Sequence, residues 1–216
     1  MTVTNKLYRD FLERGEIQTF DKLQVDQTLS NIDLVQKRNK KEARSLFIIL
    51  YLTGARPAEV FKLKPLNITK EVSYLKIMMP GVKRGLTRPI YIPLHSNPYS
   101  KELWQYASRL FPDMYMFYHF MGNRDKVVSY NTKDGVRQKT YKETSHILRW
   151  HFAKWVAPVR NIIPYFLRHN RFSKLSMNDV TLEEIRQIKG AKSLQSVMPY
   201  SHLSSKVGKK IGRKID

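Results

Sequence analysis

The stretch "LFIILYLTGARPAEVFKL", Leu46–Leu63, decides how the rest of the chain is read. Its first seven residues are apolar, and Gly54 stands where a helix built from them would end. Pro57 is tolerated in the first turn of a second helix, whose apolar side would carry Val60, Phe61 and Leu63. Arg56 therefore sits between a buried helix and the start of the next, with Glu59 three residues on. An arginine on so rigid a base is suited to gripping an anion, if the chain supplies partners for the task.

The charge of the chain points to that anion. The 216 residues carry 39 Lys and Arg against 18 Asp and Glu, a net of +21 with a pI near 10.1. Residues 1–45 hold nine basic against seven acidic side chains, whereas residues 46–216 hold thirty against eleven. The excess thus belongs to the main body, and a polyanion such as nucleic acid is the expected partner. There is no cysteine, which rules out disulfides and thiolate metal sites. The N-terminus is mixed in charge, without a signal-peptide core, and "LFIILYL" is too short to cross a bilayer. A cytoplasmic protein with no membrane partner is expected.

Outward from Gly54, residues 5–28 read as an amphipathic helix and a turn. "LSNIDLVQKRNKKEARSLFIILYLTG", Leu29–Gly54, continues into a stronger helix. "VSYLKIMMPGVKRGLTRPIYIPL" places β-branched and aromatic runs on either side of a basic tip and reads as a β-hairpin. "SKELWQYASRLF" is helical, and Lys133-Asp134-Gly135 marks a second hairpin. "YKETSHILRWHFAKWVAPV" reads as a helix broken by Pro158, with another starting at Pro164. "TLEEIRQIKG" carries a capping box of Thr181 and Glu184. "SLQSVMPYSHLSSK" reads as a further helix ahead of a basic tail. The sum is a mainly α (α+β) domain with a small antiparallel sheet.

Four separated boxes give the chain its chemistry. They are "TGARPAE" with Arg56 and Glu59, a hairpin lysine, Lys83, ahead of "RPIYIPL", "PYFLRH" from Pro164 to His169, and "KGAKSLQSVMPY" ending at Tyr200. In this order and spacing they resemble the catalytic domain of tyrosine recombinases, the phage-integrase and Xer family. The resemblance divides the chain into an N-terminal helical segment, 1–27, a catalytic domain, 28–202, and a basic tail, 203–216. It implies a site-specific recombinase acting on double-stranded DNA as a homo-tetramer, through a 3′-phosphotyrosine and without metal, ATP or other cofactor. It also implies the usual roles. Arg56 and Arg168 hold the phosphate, Lys83 protonates the leaving oxygen, Tyr200 attacks, and Tyr165 contacts phosphate. Glu59 and His169 give support.

The physical logic runs in parallel. Breaking a phosphodiester requires a nucleophile, positive charge on the non-bridging oxygens and a proton for the leaving group. Forked guanidinium donors stay charged and fit those oxygens. The boxes also depart from the family pattern. Tyr165 replaces a histidine, and Ala191 falls where a histidine or tryptophan is usual, so Lys192 is an accessory candidate. Arg84 competes with Lys83 at the hairpin tip. Most relatives have a separate core-binding domain in front, so the chain is either a fragment or a minimal recombinase. The competing readings are a type IB topoisomerase-like relaxing enzyme and a degenerate recombinase that only binds DNA.

Overall fold

The apolar run does form a helix, and the remaining elements pack around it. The computed structural model describes residues 20–81, 87–120, 127–132, 135–140, 144–159 and 164–203, with 127–132, 135–140, 144–147 and 202–203 as backbone only. Helix α1 spans Lys22–Val35 and is opened by a reciprocal cap: Gln24 N–H donates to Asp21, and Asp21 N–H donates to Gln24. Val25, Leu29 and Ile32 face inward, so α1 joins the core and runs across the position 27/28 boundary.

Helix α2 is Lys40–Thr53, so the single helix expected over Leu29–Gly54 is in fact two. Gln36 is extended and Asn39 is left-handed, with φ 55°. The reason is local: "QKRNKK", Gln36–Lys41, contains no apolar residue to bury, and asparagine tolerates the left-handed region. Gly54 ends α2 as its position predicts, with φ 60° and its N–H on Leu50 O at 3.0 Å.

From Ala43 to Leu52 α2 is buried on nearly every side, and it packs on α1 and on two later helices, α4 (Pro98–Ala107) and α6 (Pro164–Met177). Each fully buried Leu, Ile or Phe there contributes about 1.5–3 kcal/mol over an exposed one. After Gly54 comes the single turn α3, Pro57–Val60. Three antiparallel strands follow in the order β1 (Ile68–Lys70), β2 (Tyr74–Met79), β3 (Arg88–Pro93). Leu75, Ile77, Met79, Ile90 and Ile92 face the core, while Tyr74 and Tyr91 face out. The β2–β3 hairpin was expected. β1 was not, because three residues are too few to show a period of two.

Strands β4 (Val127–Thr132) and β5 (Gly135–Thr140) form the second hairpin. Helix α5, Thr144–Val156, stops before Pro158 and packs on α1 and α3. Asn31 Nδ2 donates to Lys154 O and Trp155 O, both at 2.8 Å, which locks α1 to the end of α5. Helix α7, Leu182–Lys189, lies between the Thr181–Glu184 capping box and Gly190, which has φ 63°. The last expected helix is two 3₁₀ segments instead, Leu194–Ser196 and Met198–Leu203. Their bonds close after three residues (Val197 N to Leu194 O, Tyr200 N to Val197 O), and Pro199 lacks the N–H a longer helix would need. They pack on α6 and α7 around a small apolar cluster of Phe172, Ile185, Val197 and Tyr200. Among the described residues no helix is long and apolar enough to cross a membrane.

Candidate active site

Arg56 is set by its backbone. It is the residue before Pro57 and therefore extended, with φ −71° and ψ 144°, and it caps α3. Glu59 holds it from below: Arg56 N–H donates to Oε2 at 2.8 Å and Arg56 Nη1 to Oε1 at 3.1 Å. The Glu59 side chain is 2% exposed and that of Arg56 is 40% exposed, so the carboxylate is buried while the guanidinium faces solvent.

A second arginine completes the Glu59 environment. Arg88, the first residue of β3, donates Nη1 and Nη2 to the two Glu59 oxygens at 3.2 and 2.9 Å, and its Nε to Ile188 O at 2.8 Å. Burial pushes the Glu59 carboxyl up, but the Arg88 hydrogen bonds, the Arg56 N–H and the charges of Arg88 and Arg168 outweigh it, and the net shift is downward. Sequence reasoning missed Arg88, because one basic residue at a strand start reads as solvated. It ties the hairpin to both the first box and the end of α7. The expected hairpin residues, Lys83 and Arg84, lie outside the described residues.

Arg168 projects from α6 and is buried, at 1% exposure. Nη1 donates to Gly54 O at 2.7 Å and Nη2 to Lys189 O at 2.9 Å. The guanidinium is thus pinned by the end of α2 on one side and the end of α7 on the other. Its Nε is buried with no hydrogen-bond partner among the described residues. Burial first, and then the charge of Arg56, lower its pKa to about 10. It remains a cation at neutral pH. A Cβ at Gly54 would lie 3.0 Å from Arg171 Cβ, which shows how closely α2 and α6 meet here.

Tyr200 lies on the same cluster and is 1% exposed. Its hydroxyl is 2.7 Å from His169 Nδ1, and Ser176 Oγ donates to Tyr200 O at 2.6 Å. Burial, followed by the charges of Lys189 and Arg168, lowers the His169 pKa to about 3, so the ring is neutral. Burial raises the Tyr200 pKa even though the charge of Arg168 opposes it. Tyr165 stands one turn before His169 on α6, exposed, with its ring edge-on at 4.7 Å. Phe172 lies between the two halves of the cluster: Arg168 Cζ is 4.9 Å from its ring centroid and the Tyr200 centroid is 6.0 Å away.

Arg56, Glu59, Tyr165, Arg168, His169 and Tyr200 thus converge from α3, α6 and the last 3₁₀ segment. Lys192 does not join them. It is exposed, and its carbonyl accepts from Arg186 Nη1 at 3.4 Å. Lys189, which the sequence analysis passed over, does join them. Its amine lies 5.1 Å from the centroid of the Tyr200 ring. A basic residue at a helix C-terminus ordinarily reads as a favourable match to the helix dipole, and that hid it.

The sequence model described as the phage integrase family matches residues 18–206. No curated protein matches the chain in sequence. Among solved structures, XerH site-specific recombinase bound to difH substrate in a pre-cleavage complex is similar in fold, with a TM-score of 0.59 and 17% identity over 91% of this chain and 54% of that one. XerA recombinase follows at 0.55 and 18% identity, over 92% of this chain and 65% of that one. The catalytic domain of bacteriophage HP1 integrase matches at 0.50 and 14% identity, over 92% and 95% of the two chains. The chain therefore spans about half the length of XerH, at 54%, and nearly all of the HP1 catalytic domain.

Proposed function

The chain belongs to the phage integrase family, and on that premise we propose that it cleaves and rejoins double-stranded DNA at specific sites through a 3′-phosphotyrosine intermediate. The observation that carries this reading is that Arg168 and Tyr200 meet on Phe172, with Arg56 near enough for its charge to act on Arg168. The thirty basic residues of positions 46–216 supply the phosphate contacts that position a duplex.

Arg56 and Arg168 bind the non-bridging oxygens of the scissile phosphate and stabilise the charge that builds there during attack. Tyr200 Oη forms a bond to phosphorus as the bond to the 5′ oxygen breaks. The phenolic proton leaves to solvent water as that bond forms, and Lys83 gives a proton to the departing oxygen. Religation runs the same steps backward, with the 5′ hydroxyl as nucleophile. Because Tyr200 is 1% exposed, DNA engagement has to bring its hydroxyl out of the cluster. Residues 28–202 are the catalytic unit in this reading, flanked by 1–27 and the basic tail 203–216, and a homo-tetramer pairs two duplexes inside the cell.

The test is a nicked duplex that traps the covalent complex, read on a denaturing gel. A protein–DNA band that vanishes in Tyr200→Phe and in Arg168→Ala is the expected result. Salt-sensitive binding with no band on any substrate would leave a protein that only binds DNA.

A further inference from the structure

Lys189 is a buried lysine with no part in the reaction above. It is the last residue of α7, next to the left-handed Gly190, and is 7% exposed. Its amine donates to Ser196 O at 2.5 Å and lies over the Tyr200 and Phe172 rings, 5.1 and 5.8 Å from their centroids. Its carbonyl accepts Arg168 Nη2 at 2.9 Å. One residue therefore touches the arginine grip through its main chain and the nucleophile's ring through its side chain. Behind it, Arg88 fixes the turn, for a Cβ on Gly190 would come within 2.9 Å of Arg88 Nη1.

The surroundings of this amine are cationic. Arg56 and Glu59 stand on α3, Arg88 on β3, Tyr165, Arg168 and His169 on α6, and Tyr200 on the last 3₁₀ segment. Glu59, the buried acid of the cluster, is engaged by Arg56 and Arg88, and among the described residues no carboxylate pairs with Lys189. Burying an ammonium without a counter-ion is costly. Burial, and then the charges of Arg168 and Arg56, lower its pKa to about 8. An apolar side chain at position 189 would pack against Phe172 and Tyr200 at lower cost. A cation kept here against that cost lacks an anion, and the cluster of two guanidiniums and one ammonium beside a tyrosine fits a single phosphodiester.

Resting on the reading of this cluster as a DNA-cleavage site, we propose that Lys189 is a third cationic ligand of the scissile phosphate, its ammonium exchanging Ser196 O for a non-bridging oxygen on the side from which Tyr200 attacks. No bond is made or broken at Lys189; it contributes charge and hydrogen-bond donors. A bound phosphate raises the pKa of the amine back toward that of an ordinary lysine. The complex then takes up protons above about pH 7, and DNA affinity falls as the pH rises past 8.

Wild type, Lys189→Met and Lys189→Arg decide the matter, each assayed for covalent-complex formation with protein in excess, for affinity toward intact duplex from pH 7 to 9.5, and for melting temperature. Lys189→Met is expected to form the covalent complex about 10²-fold more slowly, the effect of losing one donor to a transition-state oxygen. It should melt at or above the wild-type temperature, because a buried, unpaired cation has been removed. A residue serving structure alone would lower the melting point instead. Lys189→Arg is expected to restore the rate to within a few-fold and to abolish the alkaline loss of affinity, about tenfold in wild type. Wild-type cleavage rates in Lys189→Met overturn the proposal, as do parallel affinity profiles for wild type and Lys189→Arg. A wild type without a Tyr200-dependent band overturns the cleavage reading itself. Lys189 then stands or falls as a phosphate ligand on the affinity profiles.

Discussion

The arginine platform and the tyrosine turn are built in opposite ways. Arg168 is held by two main-chain carbonyls and Arg56 by a buried carboxylate that Arg88 also grips, so both guanidiniums are fixed by the fold itself. Such preorganisation is what makes a charge-stabilising site effective, because nothing needs to reorient as the reaction proceeds. Tyr200 instead lies in a 3₁₀ segment, retained by side-chain contacts: Ser176 to its carbonyl, His169 to its hydroxyl, and Lys189 to Ser196 in the preceding segment. In the proposed reaction, arginines fixed by the fold stand beside a tyrosine whose hydroxyl has to leave its resting place.

The sharpest break in this comparison comes from the nucleophile. Tyr200→Phe is expected to reduce covalent-complex formation by about 10⁴-fold or more. It should leave DNA affinity unchanged and cost only about 1 kcal/mol of stability for the lost bond to His169. Denaturing gels and urea titration measure both. On the platform side the weighting reverses. Glu59→Gln strands two arginines around a neutral amide and is expected to cost about 3 kcal/mol at neutral pH. The Glu59 pKa is lowered on folding, so its contribution is present above the ordinary carboxylate pKa and is lost as the pH falls through the folded value. Urea midpoints from pH 7 down to pH 3 should therefore decline less steeply in Glu59→Gln than in wild type.

Smaller changes locate the seam between the two regions. Gly190→Ala puts a side chain at φ 63° and within 2.9 Å of Arg88, so a loss of about 1–2 kcal/mol is expected, with slowed cleavage as Arg88 gives way. An unchanged cleavage rate would show that the platform does not depend on this turn. Ser176→Ala is the mildest. It leaves Tyr200 O without its buried donor at a cost of about 1 kcal/mol. Limited proteolysis should then find the chain after Ser193 opened sooner, with phosphate-dependent DNA binding unaltered.

Much of this was legible before folding was considered. Gly54 ends α2 and Thr181 with Glu184 opens α7, because caps and left-handed glycines are local in origin. The helix from Pro164 and the two hairpins are equally local. The break at Gln36–Asn39 was missed because an apolar pattern on both sides hid a polar interruption. The 3₁₀ form of residues 194–203 was missed because what sets it is packing against α6 and α7.

By itself the sequence determined the family and the mainly helical class, and it singled out Arg56, Arg168 and Tyr200 as candidates, since box spacing, caps and composition are properties of neighbouring residues. Tertiary structure alone decided that Arg88 and Lys189 belong to the same cluster. Arg88 meets Glu59 across 29 positions and Ile188 across 100, and Arg168 meets Gly54 across 114. Hydrogen bonds over such separations exist only once the core has brought α2, β3, α6 and α7 together, and no local pattern encodes them.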